Sequence, residues 1–184
     1  GIMYLKSEQY EEIKRVVVDT FLQYDIKCVP INGFEMAVKM GLTVVPYSAL
    51  DAIQQMAARK FSEDGFSIEK ENGEWIIYYN DSCRSYRRIN QTIMHEIGHY
   101  TLGHIEEGAE EEAEANFFAK YALAPPPLVH TILETVTPKS IMEVFDISNE
   151  AANYAYQYYQ MWLEHGGYDY TEYEVKMLKL FEVA

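Results

Sequence analysis

His95 and His99 stand four residues apart, with Glu96 directly after the first of them, in the string His95-Glu96-Ile97-Gly98-His99. On an α-helix, residues four apart lie one above the other on the same face. Two imidazoles so placed reach a single metal ion. The carboxylate next to the first is turned roughly 100° round the helix, so it stands beside the ion rather than on it. A group there can take a proton from a water molecule and pass it on, which is the arrangement H-E-x-x-H provides for metal-assisted peptide hydrolysis. His95 and His99 are therefore candidate ligands, and Glu96 is the candidate general base. The plain alternative is a surface helix with two incidental histidines. Against it, Ile93, Met94, Ile97 and Tyr100 give the segment the apolar body of a buried helix, with no proline to interrupt it. Gly98 costs helix stability but removes a side chain where another backbone or a substrate must approach. His104 reads as the marker of a helix end, where a histidine suits the negative pole of the dipole.

Such a site needs a third ligand, and Glu110-Glu111-Glu112-Ala113-Glu114-Ala115-Asn116 supplies several carboxylates. Helical geometry favours Glu112, which shares a face with Ala115, Asn116 and Ala119, small or polar residues that let this helix pack closely beside the metal helix. Glu114 lies above Phe117, Phe118 and Tyr121, a bulky stripe that reads as core, and Glu111 faces Ala115, Phe118 and Ala122. Both remain as fallbacks. Glu106, Glu107 and Glu110 read as a solvated acidic rim. A tetrahedral oxyanion also needs a donor besides the metal. Tyr100 and Arg88 are near enough in sequence to be considered, with Arg88 preferred as a structural residue paired to an acidic neighbour.

The elements that must position these residues follow from periodicity and punctuation. Ser7 opens a helix with apolar positions Tyr10, Ile13, Val17 and Phe21. Asn32 and Glu35 resemble a capping box for a short helix ending near Gly41. Residues 42–47 are rich in β-branched side chains and read as a strand, with Pro46 at its end or at a sheet edge. Ser48 and Asp51 open a helix to about Lys60. Residues 66–70 and 74–79 flank Asn72-Gly73, a hairpin-turn signal. The histidine string sits on a helix over about 85–103, followed by one over about 110–123 that Pro125-Pro126-Pro127 stops. Further helices are expected near 128–136, 138–145, 148–164 and 171–182. The pattern predicts an α+β fold. It is a predominantly helical single domain over 1–184 with a small antiparallel sheet, its core about 31–127 and a helical extension about 128–184.

The 184-residue chain is 48% apolar, as expected of one globular domain rather than a disordered chain. A formal charge of −14 repels phosphate backbones and acidic membrane surfaces, so neither nucleic acid nor membrane is an expected direct partner. No apolar run approaches the roughly 20 residues of a membrane span, and no signal peptide is visible at the start. Cys28 and Cys83 form no disulfide framework, so both read as ordinary thiols in a reducing compartment, the cytoplasm.

Arg88, Thr92, the string His95 to Tyr100, then Glu112-x-x-Ala115-Asn116-x-Phe118-Ala119 and a proline closing that helix resemble the ImmA/IrrE family of zinc metallopeptidases. The resemblance is most specific over about residues 85–127 and looser over 31–47; the first thirty residues and the tail past about 150 match nothing distinctive. It implies an α+β core, a zincin-like active-site helix with a thermolysin-like site, and a Zn2+ cofactor. The family's glutamate before Ala-Asn maps onto Glu112, beside His95 and His99. The resemblance further implies a protein substrate. Several family members in bacteria, phages and mobile elements cleave a helix-turn-helix repressor, and a basic repressor matches the acidity of this chain. Leu123-Ala124-Pro125-Pro126 departs from the family's usual Leu-Leu-Met-Pro, which bears on the wall of the cleft rather than on the ligands.

Two other functions have to be weighed. Residues 138–160 have a helix-turn-helix cadence, yet no Lys or Arg occurs between Lys139 and Lys176 to contact phosphates, so a helical hairpin packed on the domain is the expectation. A non-catalytic interaction module retaining a metal site is the other. Tyr154, Tyr156, Tyr158, Tyr159, Met161 and Trp162 spread around a whole helix, which leaves some of them free for a partner. A structural zinc is usually closed by four protein ligands, and the intact glutamate of H-E-x-x-H favours catalysis.

Overall fold

A computed structural model describes residues 4–82, 84–106 and 108–183. Cys83 and Glu107 lie outside the described residues. Helix α1 (Ser7–Tyr24) buries Ile13, Val17 and Phe21 along one stripe. Its N-cap is Lys6 rather than Ser7, because the side chain of Gln9 reaches back to accept from the Lys6 backbone N–H at 2.8 Å. Helix α2 (Gly33–Lys39) begins where Asn32 accepts the Glu35 N–H. Strand β1 (Thr43–Pro46) and a short 3-10 turn at Tyr47–Ala49 follow. Helix α3 (Ala52–Phe61) is capped by Asp51. Strands β2 (Gly65–Glu69) and β3 (Trp75–Tyr79) flank the Asn72-Gly73 turn and pair antiparallel, from Gly65 opposite Tyr79 to Glu69 opposite Trp75.

The sheet is mixed rather than wholly antiparallel. β1 lies on the other side of β3 and runs parallel to it, from Thr43 opposite Ile76 to Pro46 opposite Tyr79. The chain between β1 and β3 contains α3 and the whole of β2, long enough to bring β3 in beside β1 in the same direction. Residue alternation within a strand says nothing of that choice. β3 is central and carries the buried Ile76 and Ile77, while Pro46, with no N–H to give, sits on an edge strand. The other edge, β2, packs along helix α4 (Tyr86–Thr101).

Helix α4 crosses α5 (Ala109–Leu123) in the most extensive helix–helix contact of the described residues. Gly98 makes the approach possible. A Cβ there would stand 3.0 to 3.1 Å from three side-chain atoms of Phe118, so a side chain at 98 would force Phe118 of α5 to give way. The three prolines after α5 do more than stop it. Pro125 is the N-cap of helix α6 (Pro126–Ile132), which starts two residues earlier than the pattern suggests because its first turn has no use for the missing N–H groups.

Helix α7 (Pro138–Phe145) and helix α8 (Asn149–Glu164) form the expected hairpin, burying Ile141, Phe145, Ala152 and Ala155. Helix α9 (Glu172–Leu180) returns to α1. Most of the aromatic collar on α8 is taken up inside the chain. Tyr158 meets Phe117 edge-on, Tyr154 lies under the Lys120 ammonium at 4.2 Å, and Trp162 donates to Glu174 at 2.8 Å. Met161 stays 55% exposed. The buried side chains of α1, α4, α5, α7 and α9 belong to one continuous hydrophobic cluster, on which α4 is rigidly seated.

Candidate metal centre

Ser85 caps α4 by accepting the Arg88 N–H, and the helix then runs unbroken through the histidine string. Ile93, Met94 and Ile97 anchor it in the core, which turns His95 and His99 together toward α5. Their Nε2 atoms are 3.1 Å apart. From α5, the Glu112 carboxylate closes on them, with Oε1 2.7 Å from His99 Nε2 and Oε2 3.3 Å from His95 Nε2. One donor atom from each residue lies within 4.8 Å of the others, the one such group of three among the described residues.

These distances fit a metal. Ligand bonds of about 2.0–2.2 Å at tetrahedral angles separate donor atoms by roughly 3.3 Å. Two imidazole nitrogens and one carboxylate oxygen are a borderline donor set suited to zinc, and three protein ligands leave a fourth position for water or substrate. Glu111 and Glu114 are not in this group. The carboxylate of Glu111 folds back beside Gly108, and that of Glu114 meets His104.

The electrostatics express the same convergence. Glu112 is drawn down to about 2, chiefly by its hydrogen bond with His95, against the opposing effect of partial burial. Burial alone would lower His95, but the Glu112 hydrogen bond and the charges of Glu96 and Glu112 outweigh it and raise the ring above its ordinary value. Glu96 is only 6% exposed, and burial raises its carboxyl, opposed by the Ser67 hydrogen bond and the two histidines. Its Oε2 stands 4.0 Å from His95 Nε2, beside the three donors without joining them. Its Oε1 accepts from Ser67 Oγ at 2.7 Å, so the edge strand β2 holds the carboxylate by its other oxygen.

The donors open onto a cleft of about 1150 Å3. α4 forms one wall with Thr92, His95 and Glu96, and α5 the other with Glu112, Asn116 and Ala119; Phe66 of β2 and the start of α8 complete the rim. Asn116 and Ala119, two of the small or polar residues beside Glu112, line the cleft, and Ala115 is buried. Arg88 also lines the cleft, but its guanidinium is taken by Asp64, with Nε 2.7 Å from Oδ1 and Nη2 3.1 Å from Oδ2. That is the paired, structural role expected of it. Tyr100 packs against Trp75 and does not reach the cleft.

Ser67 was not visible as a site residue, since its partner lies 29 positions away and only the strand register and the packing of β2 on α4 unite them. His104 does follow the end of α4, as expected, but its ring contacts His99 and Glu114 rather than helix carbonyls. Glu114 likewise leaves the aromatic stripe and turns to His104.

No helix is long and apolar enough to cross a membrane among the described residues. No curated protein is similar enough to the chain to add a role. The IrrE N-terminal-like domain, the Peptidase_M78 family, matches residues 40–156, from the end of α2 through β1, the hairpin, α4 and α5 into α8. A match over well over half the chain that contains the whole histidine and glutamate cluster makes this protein a member of the IrrE N-terminal-like (ImmA/IrrE) family of metallopeptidases.

Proposed function

We propose that this chain is a zinc-dependent endopeptidase in which His95, His99 and Glu112 hold the ion and Glu96 is the general base. The observation that carries the reading is the meeting of three donor atoms within 4.8 Å in an open cleft, with a second, non-ligating carboxylate, Glu96, beside them. Bound there, zinc would lower the pKa of a water molecule toward neutrality and polarise the scissile carbonyl. Glu96 takes the proton of the attacking water on Oε2, the oxygen Ser67 leaves free, and returns it to the nitrogen of the leaving amine. Burial, which raises the Glu96 carboxyl, makes it a stronger base toward the attacking water. The walls of α4 and α5 give an extended segment a channel across the three donors.

The substrate class we favour is a basic, DNA-binding repressor in the cytoplasm. A net charge of −14 would draw in such a protein and turn nucleic acid away. The test uses the full chain, purified, stripped with a chelator and reloaded with zinc, against a helix-turn-helix repressor encoded beside it. Cleavage that disappears on stripping and returns with zinc is the expected result. Zinc bound at one equivalent with no cleavage of repressor or of unfolded protein would instead mark an interaction module that keeps a metal site.

A further inference from the structure

Helix α4 ends in a complete Schellman turn. Leu102 is the C-cap, Gly103 adopts a left-handed backbone with φ of 70°, and two reversed hydrogen bonds close the turn: Gly103 N–H to the Tyr100 carbonyl at 3.1 Å and His104 N–H to the His99 carbonyl at 3.0 Å. In this motif the residue at C″ folds back over the residue at C3, and here those residues are His104 and His99. The turn needs only the backbone N–H at position 104, so it accounts for where the side chain goes but not for its being histidine.

The rings account for that. His104 Nδ1 lies 2.9 Å from His99 Nδ1, and His104 Nε2 lies 2.8 Å from Glu114 Oε1. Both rings are nearly buried, with side-chain exposures of 6% for His99 and 8% for His104. If His99 uses Nε2 for a metal, its Nδ1 carries the hydrogen and must donate it. His104 Nδ1 then accepts, His104 Nε2 carries its own hydrogen, and that hydrogen goes to Glu114. With both rings neutral, this is the one proton arrangement that satisfies every contact. The row is anchored from α1, where Gln9 Nε2 donates to Glu110 Oε1 at 2.7 Å and reaches Glu114 Oε2 at 3.4 Å.

We propose that His104 and Glu114 are positioning residues for the metal centre, holding His99 in the Nδ1–H tautomer so that Nε2 is presented to zinc. The inference rests on the zinc reading given above. Outer partners of this kind, in which a ligating histidine donates its other N–H, typically contribute about 10–100-fold to metal affinity.

The test measures zinc affinity of the full chain by competition with a chromophoric chelator, together with the long-range 1H–15N NMR pattern of the His99 ring in the zinc-loaded protein. His104→Ala removes the acceptor, and its affinity should fall by about 10–100-fold. His104→Asn places an amide oxygen where Nδ1 was and should recover most of that loss. His104→Gln carries its amide one bond further out, toward Glu114, and should not. The wild-type His99 ring should show a slowly exchanging Nδ1–H that sharpens or disappears with the acceptor: kept in His104→Asn, lost to fast exchange in His104→Ala. Equal affinity for wild type and His104→Ala would overturn the proposal, as would equal loss in the Asn and Gln variants accompanied by a parallel fall in melting temperature. A wild-type chain that binds no zinc would remove the metal centre and the relay together, an outcome distinct from both.

Discussion

Two groups of polar side chains meet around the central helices, and they are built on opposite principles. Between α1, α8 and α9, donors alternate with acceptors. Glu11 accepts from Lys14 Nζ at 2.9 Å and from the Tyr173 hydroxyl at 2.8 Å, and the Lys14 ammonium stands 5.6 Å from the Tyr158 ring centre. The charges there have their complements, although the buried Tyr121 hydroxyl beside them has no partner. Between α4 and α5, two imidazole Nε2 atoms and a carboxylate converge on one point with a second carboxylate alongside. Such a gathering of lone pairs is costly without a cation at its centre. The charges of the first cluster are paired within the chain, while the second is a group that could hold a cation. That difference separates a structural ion pair from a site more sharply than burial or perturbed pKa values do, since both clusters have those.

The largest effects should come from taking the second cluster apart. Glu96→Gln keeps the Ser67 hydrogen bond and the shape but cannot take a proton, so cleavage should fall on the order of a thousandfold with zinc content unchanged. Cleavage surviving in that variant would remove the general-base role. Glu112→Ala should lose zinc far more completely than Glu114→Ala, because in the proposed site one would supply a donor atom and the other would act only through His104; mass spectrometry of the metal retained after dialysis decides it, and the reverse order would reassign the ligand.

The two clusters also differ in how they are written in the chain. His95, Glu96 and His99 are legible because one helical turn brings them together, and Glu112 because its face of α5 carries Ala115, Asn116 and Ala119. These are local relations of period 3.6. Glu11 and Tyr173 are 162 positions apart and Ser67 and Glu96 are 29, so no spacing rule connects them. The direction of β1 escaped for the same reason, being a relation between strands that are not consecutive. His104 is the intermediate case. Its contact with His99 was within reach of the sequence, because Gly103 marks a Schellman C′ position and so sets residue 104 over residue 99. Reading the histidine against the helix dipole alone overlooked that the turn folds it back.

Ser67 tests whether β2 belongs to the working site or only walls it. It touches neither the three donor atoms nor Oε2, and its one contact with the site is the 2.7 Å bond to Glu96. A hydrogen bond to a charged group is worth about 1.5–3 kcal/mol, so Ser67→Ala should slow turnover about tenfold to a hundredfold. Zinc affinity and KM should hardly move, and Ser67→Thr, which keeps the hydroxyl, should restore the rate. A change confined to KM would make β2 a substrate rail and leave Glu96 oriented by other means.

The matched cluster should give the smallest response, and one of a different kind. Tyr173→Phe leaves zinc binding and cleavage intact and lowers stability by about 1 kcal/mol, a modest figure because Glu11 is partly solvated. Its pH dependence identifies the partner. Burial works to raise the Glu11 carboxyl, but hydrogen bonds from Lys14 and Tyr173 and the nearby Lys14 and Arg15 charges outweigh it, so the folded protein holds Glu11 below its ordinary value of 4.5. A depressed carboxylate stabilises the fold at pH above the unfolded value and loses that contribution as pH falls through the folded one. In chemical denaturation, wild type should therefore exceed Glu11→Gln by a constant margin above roughly pH 5.5, and the margin should close as the solution is taken below 4.5. A margin that persists at pH 3 would mean Glu11 contributes through packing of its stem and not through its charge, and the alternation of donors and acceptors in this cluster would then not be what stabilises it.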